Sequence, residues 1–172
     1  MILKVIRKLV MFYSRYKFKK CGKKVVFDPI NSNFSYNTIS LGDDVFIGGR
    51  AWMSSTHSQI IIGSHVMFGP EVHIYGGNHI INKVGILMSQ ITKDNNHKDL
   101  DVIIQDEVWI GGKALILTGV TIGRGAIVAA NSVVTKNIEP YAVYGGIPAK
   151  KLKMRFTAEE ITEHERKIYN NE

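Results

Sequence analysis

The sequence has a single cysteine, four prolines and no uninterrupted apolar run of the length that crosses a bilayer. One cysteine, Cys21, excludes an internal disulfide framework and a cysteine-only metal site, and it fits a reducing compartment. The lack of an apolar run of about 18 residues excludes a membrane-spanning helix. With 45% hydrophobic and 22% charged residues, the 172-residue chain has the composition of one soluble globular domain.

Acidic residues are absent from the first 24 positions, which carry nine lysines and arginines. The other 148 residues carry 13 basic and 15 acidic side chains, so the net charge of +7 comes from this basic leader. The body is therefore not a polyanion-binding surface. No nucleic-acid-binding motif accompanies the charge, and we expect no nucleic-acid partner.

The leader has the pattern of an amphipathic helix over residues 2–16. Its apolar residues recur at i, i+3, i+4 and i+7, with Lys and Arg between them; they are Ile2, Val5, Ile6, Leu9, Phe12, Tyr13 and Tyr16. The segment is a poor signal peptide, because Lys4, Arg7 and Lys8 interrupt its apolar residues and no small-residue cleavage site follows. Two interpretations stay open: the helix packs on the body or on a neighbouring subunit, or it attaches to an anionic membrane surface.

A second helix is predicted near the C-terminal end. Thr157 and Glu160 have the spacing of a capping box, in which each side chain bonds the backbone of the other. We expect this short helix to run to about Tyr169 and to cover the end of the body.

Between these ends the sequence repeats every six residues. Aliphatic residues stand six apart over six consecutive units from Ile104 to Val134, and a small or aliphatic residue follows four positions after each. Four earlier units obey the same rule and begin at Leu41, Ile47, Ile62 and Phe68. Helices and ordinary hairpins have other periods, so neither explains the pattern.

A unit of six residues can form one short strand and one corner, and three units close a triangular coil of about 18 residues. Ile104 then lies over Ile122 in the next coil, at about 4.8 Å. The aliphatic residue fills the interior, and glycine after it, as at Gly111, is expected to support the turn because it tolerates positive φ. The earlier spacing of 21, from Leu41 to Ile62, predicts a three-residue bulge within 54–61. This is the pattern of the hexapeptide-repeat, left-handed parallel β-helix, a mainly β fold.

The period breaks from about Gly76 to Asp101, where a long polar loop is predicted. His79 stands at its root, and a histidine there can accept and return a proton near neutral pH. By itself a lone histidine is more often structural or exposed than catalytic. A metal site at His57, His65 and His73 is a further alternative, but we expect none, because His65 and His73 occupy different positions of their hexapeptides.

Several segments resemble the hexapeptide acyltransferases of the maltose/galactoside O-acetyltransferase type. They are His73–His79, Asp101–Gly112, Thr118–Gly125, Ala130–Lys136 and Tyr144–Lys150. The long loop is most similar to that of enzymes that acetylate surface polysaccharides, such as capsule or O-antigen, or their precursors. The resemblance spans roughly residues 39–156 and implies acetyl-CoA-dependent O-acetyl transfer without a metal.

The resemblance also implies roles for single residues. His79 matches the general base, and the Gly112 backbone N–H matches the donor to the oxyanion. The residues that match acetyl-CoA contacts are Trp109, Gly112, Ala130, Thr135, Lys136, Lys150 and Lys153. For Trp109, plain packing is an equal alternative. The acceptor-binding residue of the sugar-specific members has no match here, and Ser54, Ser55 and Asn78 are our candidates for that contact.

The resemblance further implies a homotrimer with active sites in the clefts between prisms. The single cysteine fits a protein of the cytoplasm, and the basic leader favours a place at the inner face of the membrane. Three alternatives stay open: an enzyme that acetylates a xenobiotic hydroxyl such as that of an antibiotic, a non-catalytic trimeric scaffold, and a zinc-dependent hydratase.

We predict three segments. Residues 1–24 form the basic amphipathic N-terminal helix. Residues 25–140 form the left-handed β-helix, with the extruded loop at about 80–101. Residues 141–172 form a basic segment and the short C-terminal helix.

Overall fold

Two helices stand at the ends of the chain. Helix α1 (Ile2–Ser14) is followed by a 3-10 turn (Arg15–Lys17), and helix α2 (Ala158–Ile168) closes the C-terminal end. Further 3-10 turns lie at Tyr36–Thr38 and Met88–Gln90. The computed structural model describes residues 2–93 and 97–169, with side chains from residue 5 onward. Within these residues, no helix has both the length and the apolar character needed to cross a membrane.

Short strands form three sheets, which are the three faces of a prism. The first face holds β1 (Lys20–Cys21), β3 (Ile39–Leu41), β6 (Ile60–Ile62), β9 (Val102–Ile104) and β12 (Thr121–Ile122). The second face holds β4 (Phe46–Ile47), β7 (Met67–Phe68), β10 (Trp109–Ile110), β13 (Ile127–Val128), β15 (Ala142–Gly145) and β16 (Lys150–Met154). The third face holds β2 (Asn33–Phe34), β5 (Trp52–Ser54), β8 (His73–Tyr75), β11 (Leu115–Ile116) and β14 (Val133–Val134).

Neighbouring strands are parallel, except that β15 and β16 form an antiparallel hairpin. Ile104 pairs with Ile122, as the period of six predicts. In the earlier coils Leu41 pairs with Ile62, so the spacing of 21 also holds. The predicted repeat fold is confirmed, and its register follows the sequence period.

The prism interior is a column of aliphatic side chains. The six residues from Ile104 to Val134 that stand six apart are at most 1% exposed, and the residues four positions later are also buried. Because each coil of three units adds three of these aliphatic side chains and the three buried residues that follow them, the apolar core grows with the number of coils.

The reason for the corner glycines differs from the one predicted. Gly111 is not in the left-handed region, so positive φ does not require a glycine there. A Cβ at Gly111 would lie 2.5 Å from the amide nitrogen of Ala130 in the next coil, which leaves no room for a side chain. The left-handed residue lies two positions later, at Lys113, with a φ of 60°. Close approach of the coils, rather than the turn itself, selects glycine.

Aromatic rings cover the N-terminal end of the prism. Phe18, Phe27 and Phe34 are buried, and the Phe18 ring lies 5.2 Å from Phe27 and 4.8 Å from Tyr36, in edge-to-face contact. Strand β1 already pairs with β3, so the first coil begins within the segment that the sequence assigned to the leader. Helix α1 ends at Ser14, two residues before the predicted end.

Helix α2 covers the other end, as predicted. Thr157 and Glu160 form the capping box, and the helix is capped at Tyr169. A half-buried carboxylate, Glu107, accepts hydrogen bonds from Arg155 at 2.7 Å and from His164 on α2 at 2.8 Å. Burial alone would raise the pKa of Glu107, but these hydrogen bonds outweigh it and lower that pKa. The cluster holds the C-terminal segment on the prism.

Ile110 offers a test of the core. Its side chain is fully buried, so Ile110→Ala should lower the free energy of unfolding by about 2–5 kcal/mol. The matched control is Ile81→Ala on the loop, where the side chain is 79% exposed, and we expect a change within about 0.5 kcal/mol. Chemical unfolding followed by circular dichroism measures both, and equal losses for the two variants would contradict this core.

Candidate active site

His79 lies where the chain leaves the prism. It follows β8 at the edge between the third and first faces, which we call the loop edge, because residues 76–101 depart from it. The loop edge of the preceding coil carries the extra residues of the 54–61 bulge. Residues 94–96 of the loop lie outside the described residues.

A serine pair sets the departure point. The Ser55 hydroxyl donates to the Ser58 backbone oxygen at 2.6 Å, and the Ser58 hydroxyl donates to the Gly76 carbonyl oxygen. A Cβ at Gly76 would lie 2.8 Å from both Ser55 Cβ and Ser58 Oγ, so only glycine fits. This packing fixes the backbone from which His79 projects.

His79 lines a pocket of about 480 Å³, in the size range of small-molecule sites. The predicted acceptor residues Ser54, Ser55 and Asn78 line the same pocket, so the fold brings all four residues together. Ser55 is buried and its hydroxyl is held by Ser58. Ser54 and Asn78 are more exposed and stand open to a ligand.

Asp99, on the part of the loop that returns to the prism, lines the same pocket. Asp99 accepts a hydrogen bond from the Lys93 ammonium at 2.6 Å and one from His97 Nε2 at 3.3 Å, and its side chain is 11% exposed. Its backbone N–H donates to the His57 carbonyl oxygen at 3.0 Å. Asp99 also lies 3.5 Å from the amide nitrogen of Asn78, the residue before His79.

The charge of Asp99 is stabilised by these partners. Burial alone would raise the pKa of Asp99, but the hydrogen bonds from Lys93 and His97 outweigh it and lower that pKa. The carboxylate therefore ties both limbs of the loop to the prism at neutral pH. Sequence reasoning missed Asp99 and Lys93, because nothing periodic in the loop indicates which of its charges fold back.

The predicted oxyanion donor lies at a different edge. Gly112 precedes β11, whereas His79 follows β8, and β8 and β11 are parallel neighbours on the third face. The two residues therefore stand beyond opposite ends of that face. Gly112 belongs to the edge between the second and third faces, which we call the glycine edge. A Cβ at Gly112 would lie 3.1 Å from the Pro70 carbonyl oxygen.

The residues predicted to bind acetyl-CoA are spread over the glycine edge, the second face and the loop edge. Ala130 lies on the glycine edge one coil above Gly112, as the hydrogen bond from Asn131 N–H to the Gly112 carbonyl oxygen indicates. Trp109 projects from the second face and is 48% exposed. Lys150 and Lys153 are exposed on β16, at the end of the second face. Thr135 and Lys136 instead follow β14 on the loop edge.

Two other cations of the predicted basic C-terminal segment form ion pairs. Arg155 pairs with Glu107 and also donates to the Gly125 carbonyl oxygen at 3.2 Å, and Lys151 pairs with Glu139. Lys150 and Lys153 are also exposed on β16, and within the described part of the chain neither forms an ion pair.

The histidines considered for a metal do not converge. His65 bonds Asp44 at 3.1 Å on the edge between the first and second faces, and His73 is on the third face. His57 instead contacts the His97 ring at the loop pocket, with the ring centres 5.8 Å apart. Among residues 2–93 and 97–169, no group of three or more His, Cys, Asp or Glu side chains is arranged to hold a metal.

Comparison with known proteins identifies related chains. Residues 101–136 match the sequence model of the family described as bacterial transferase hexapeptide (six repeats). The chain is 33% identical to a hexapeptide-repeat acetyltransferase of Vibrio cholerae O1 biovar eltor, solved in complex with acetyl coenzyme A. That likeness covers 86% of this chain and 76% of the other, with a TM-score of 0.74.

Two further relatives are named for different acceptor substrates, maltose and chloramphenicol. A maltose O-acetyltransferase from Clostridium difficile 630 is 32% identical, with coverage of 86% and 75% of the two chains and a TM-score of 0.74. A chloramphenicol acetyltransferase of Klebsiella aerogenes is 52% identical over 62 residues, which are 36% of this chain and 30% of that relative. The matched part thus spans less than a third of this curated relative.

Asp99→Asn tests whether the carboxylate holds the loop. The substitution keeps the size of the side chain but leaves the Lys93 ammonium without its counter-charge, so the loop should open more often. We expect trypsin to cleave after the exposed Lys83 or Lys98 about tenfold faster, as followed by mass spectrometry. The matched control is Asp44→Asn, which removes a carboxylate that pairs with a histidine at another edge. Equal cleavage rates for Asp99→Asn and the unaltered protein would refute the assignment.

Proposed function

This chain belongs to the hexapeptide-repeat acetyltransferases, and we propose that it transfers the acetyl group of acetyl-CoA to a hydroxyl of a sugar, a surface polysaccharide or its precursor. The observation that carries the proposal is the pocket at the loop edge, where His79 lies beside Ser54 and Asn78. The acetyl-CoA bound to the Vibrio cholerae relative and the maltose named for the Clostridium difficile relative support the two substrates.

In the proposed reaction His79 is the general base. Its imidazole takes the proton of the acceptor hydroxyl as that oxygen attacks the thioester carbon of acetyl-CoA. The carbon–sulfur bond then breaks, and the proton returns from the imidazolium to the departing CoA thiolate. No covalent enzyme intermediate is needed. Cys21, on β1 of the first coil, is not at the pocket that His79 lines.

The Gly112 backbone N–H is the proposed donor to the oxyanion of the tetrahedral intermediate. A donor fixed in a coil needs no reorganisation during the reaction, and one such contact is worth about 3 kcal/mol. Since Gly112 and His79 lie beyond opposite ends of the third face, one chain does not bring them to one carbonyl group. We therefore propose that the glycine edge of one copy meets the loop edge of the next.

A homotrimer supplies that arrangement, with one site in each of three clefts. The second face supports the assembly, because Val26, Phe46, Met67 and Trp109 form a column of apolar side chains that are 46–53% exposed.

In the proposed cleft Trp109 contacts the acetyl and pantetheine end of acetyl-CoA, and Ala130 leaves room for the pantetheine arm against the coil. Packing between copies is the other role open to Trp109.

The proposed contacts to the CoA phosphates are cationic. Lys150 and Lys153 come from β16 of one copy, and Thr135 and Lys136 from the loop edge of the next. These residues concentrate positive charge at the C-terminal end of the cleft, which favours binding of the polyanionic CoA.

We place the reaction in the cytoplasm, at the inner face of the membrane, and the single cysteine fits that reducing compartment.

A second candidate function is acetylation of a xenobiotic hydroxyl. It is favoured by the 52% identity to the chloramphenicol acetyltransferase of Klebsiella aerogenes, over 36% of this chain. The sugar acceptor is preferred because the likeness to the maltose enzyme extends over 86% of this chain, against 36% for the chloramphenicol enzyme.

His79→Ala tests the proposed base. Acetyl-CoA turnover is followed by release of free thiol against maltose, galactosides, longer oligosaccharides and chloramphenicol. We expect acceptor-dependent release that falls by about 10²-fold or more in the variant, because the hydroxyl loses its proton acceptor. The acceptor that supports turnover also distinguishes the sugar from the xenobiotic function.

The matched control is His65→Ala, since this exposed histidine pairs with Asp44 far from the pocket and should keep full activity. Thiol release that is unchanged in His79→Ala would remove His79 from the mechanism. Absence of both release and CoA binding in the unaltered protein would favour the non-catalytic scaffold.

A further inference from the structure

Helix α1 contacts the rest of the chain through the side that carries Arg7, Met11 and Ser14. Ser14 is buried, Met11 packs against the core cluster, and Arg7 lines a shallow depression with Asp28 and Pro70. Arg7, Met11 and Ser14 are spaced i, i+4 and i+7, so they share one side of the helix. The opposite side of α1 therefore points away from the prism.

That opposite side carries the apolar stripe of the helix. Its side chains are between 45% and 68% exposed, namely Val5, Ile6, Leu9, Phe12 and Tyr13. Three aromatic rings cluster there, because Phe12 lies 5.7 Å from Tyr13 and 5.8 Å from Tyr16. A helix on a globular domain normally turns its apolar stripe toward the core. The reversed orientation of α1 leaves this stripe for a surface outside the chain.

The charge around the stripe has one sign. All nine charged residues among the first 24 positions are basic, and the first acid, Asp28, already accepts hydrogen bonds from Asn31 and lies near Arg7. Lys8 is exposed on the helix, and Lys20 and Lys24 are exposed on the first coil. A second copy of α1 would bring the same cations against these, whereas an anionic lipid surface complements them.

We propose that α1 lies in the plane of a bilayer containing anionic lipid, with its apolar stripe inserted and its lysines at the headgroups. Thirteen residues of helix are about 20 Å long, too short to cross the hydrocarbon core, so the helix binds at the interface. Aromatic rings such as Tyr13 and Tyr16 are favoured at that depth. The inference does not depend on the proposed acetyl transfer, since it uses only the leader.

Vesicle co-sedimentation of the full chain tests this directly. Vesicles of equal parts phosphatidylcholine and phosphatidylglycerol are compared with vesicles of phosphatidylcholine alone. We expect binding to the anionic vesicles that is at least tenfold tighter and that weakens in high salt. The double variant Leu9→Ser/Phe12→Ser should weaken this binding by about 100-fold, because each side chain loses its insertion into the bilayer. Both residues are about half exposed, so the fold should be kept, as circular dichroism checks.

The matched control is Ile81→Ser/Leu87→Ser, which removes two comparably exposed apolar side chains from the loop and should leave vesicle binding unchanged. Equal binding of the unaltered protein to both vesicle types would overturn the proposal, and so would unchanged binding of Leu9→Ser/Phe12→Ser. Light scattering distinguishes lipid from a second copy of the chain as the partner of the stripe. A smaller assembly in Leu9→Ser/Phe12→Ser would mean that a second copy, rather than lipid, covers the stripe.

Discussion

Hydrogen bonding between successive coils is the constraint on which the rest of the structure depends. Trp109 N–H donates to the Ala126 carbonyl oxygen at 3.0 Å, and Met67 N–H donates to the Val108 carbonyl oxygen at 2.9 Å, so each coil fixes the register of the next. The coils approach so closely that a Cβ at Gly69 would lie 2.4 Å from the amide nitrogen of Gly112. Insertions are tolerated only at the edges, and both predicted functional regions lie there.

The six-residue period of the sequence predicts the core residues, the pairing of the strands and the start of the long loop. Interior residues such as Ile104, the pairing of Leu41 with Ile62, and the loop that starts after Tyr75 all follow from spacing, because one residue of slip would expose the core. Contacts outside the period could not be predicted in this way. Asp99 bonds Lys93 six residues earlier in the aperiodic loop, and Arg155 bonds Glu107 48 residues earlier in the chain.

The sequence predicts the candidate residues one at a time, and the resemblance implies that they meet in a cleft between prisms. A motif indicates that His79 and Gly112 matter, yet only the fold places them beyond opposite ends of one face. In the proposed trimer the rigid prism is a spacer that holds each group at an edge, and a neighbouring prism supplies the other half of the site. The apolar stripe of α1 is exposed, and none of its residues lines the pocket that holds His79.

The most direct test of an active site shared between two chains is complementation between two variants. His79→Ala damages the loop edge, and Lys150→Glu/Lys153→Glu damages the second-face side; the two chains are co-expressed with different tags and purified through both. If sites form between copies, every mixed trimer contains one intact site, and acetyl-CoA turnover should recover to about a third of the unaltered level. Turnover no higher than that of the separate variants, in particles whose mass proves co-assembly, would contradict a site shared between chains.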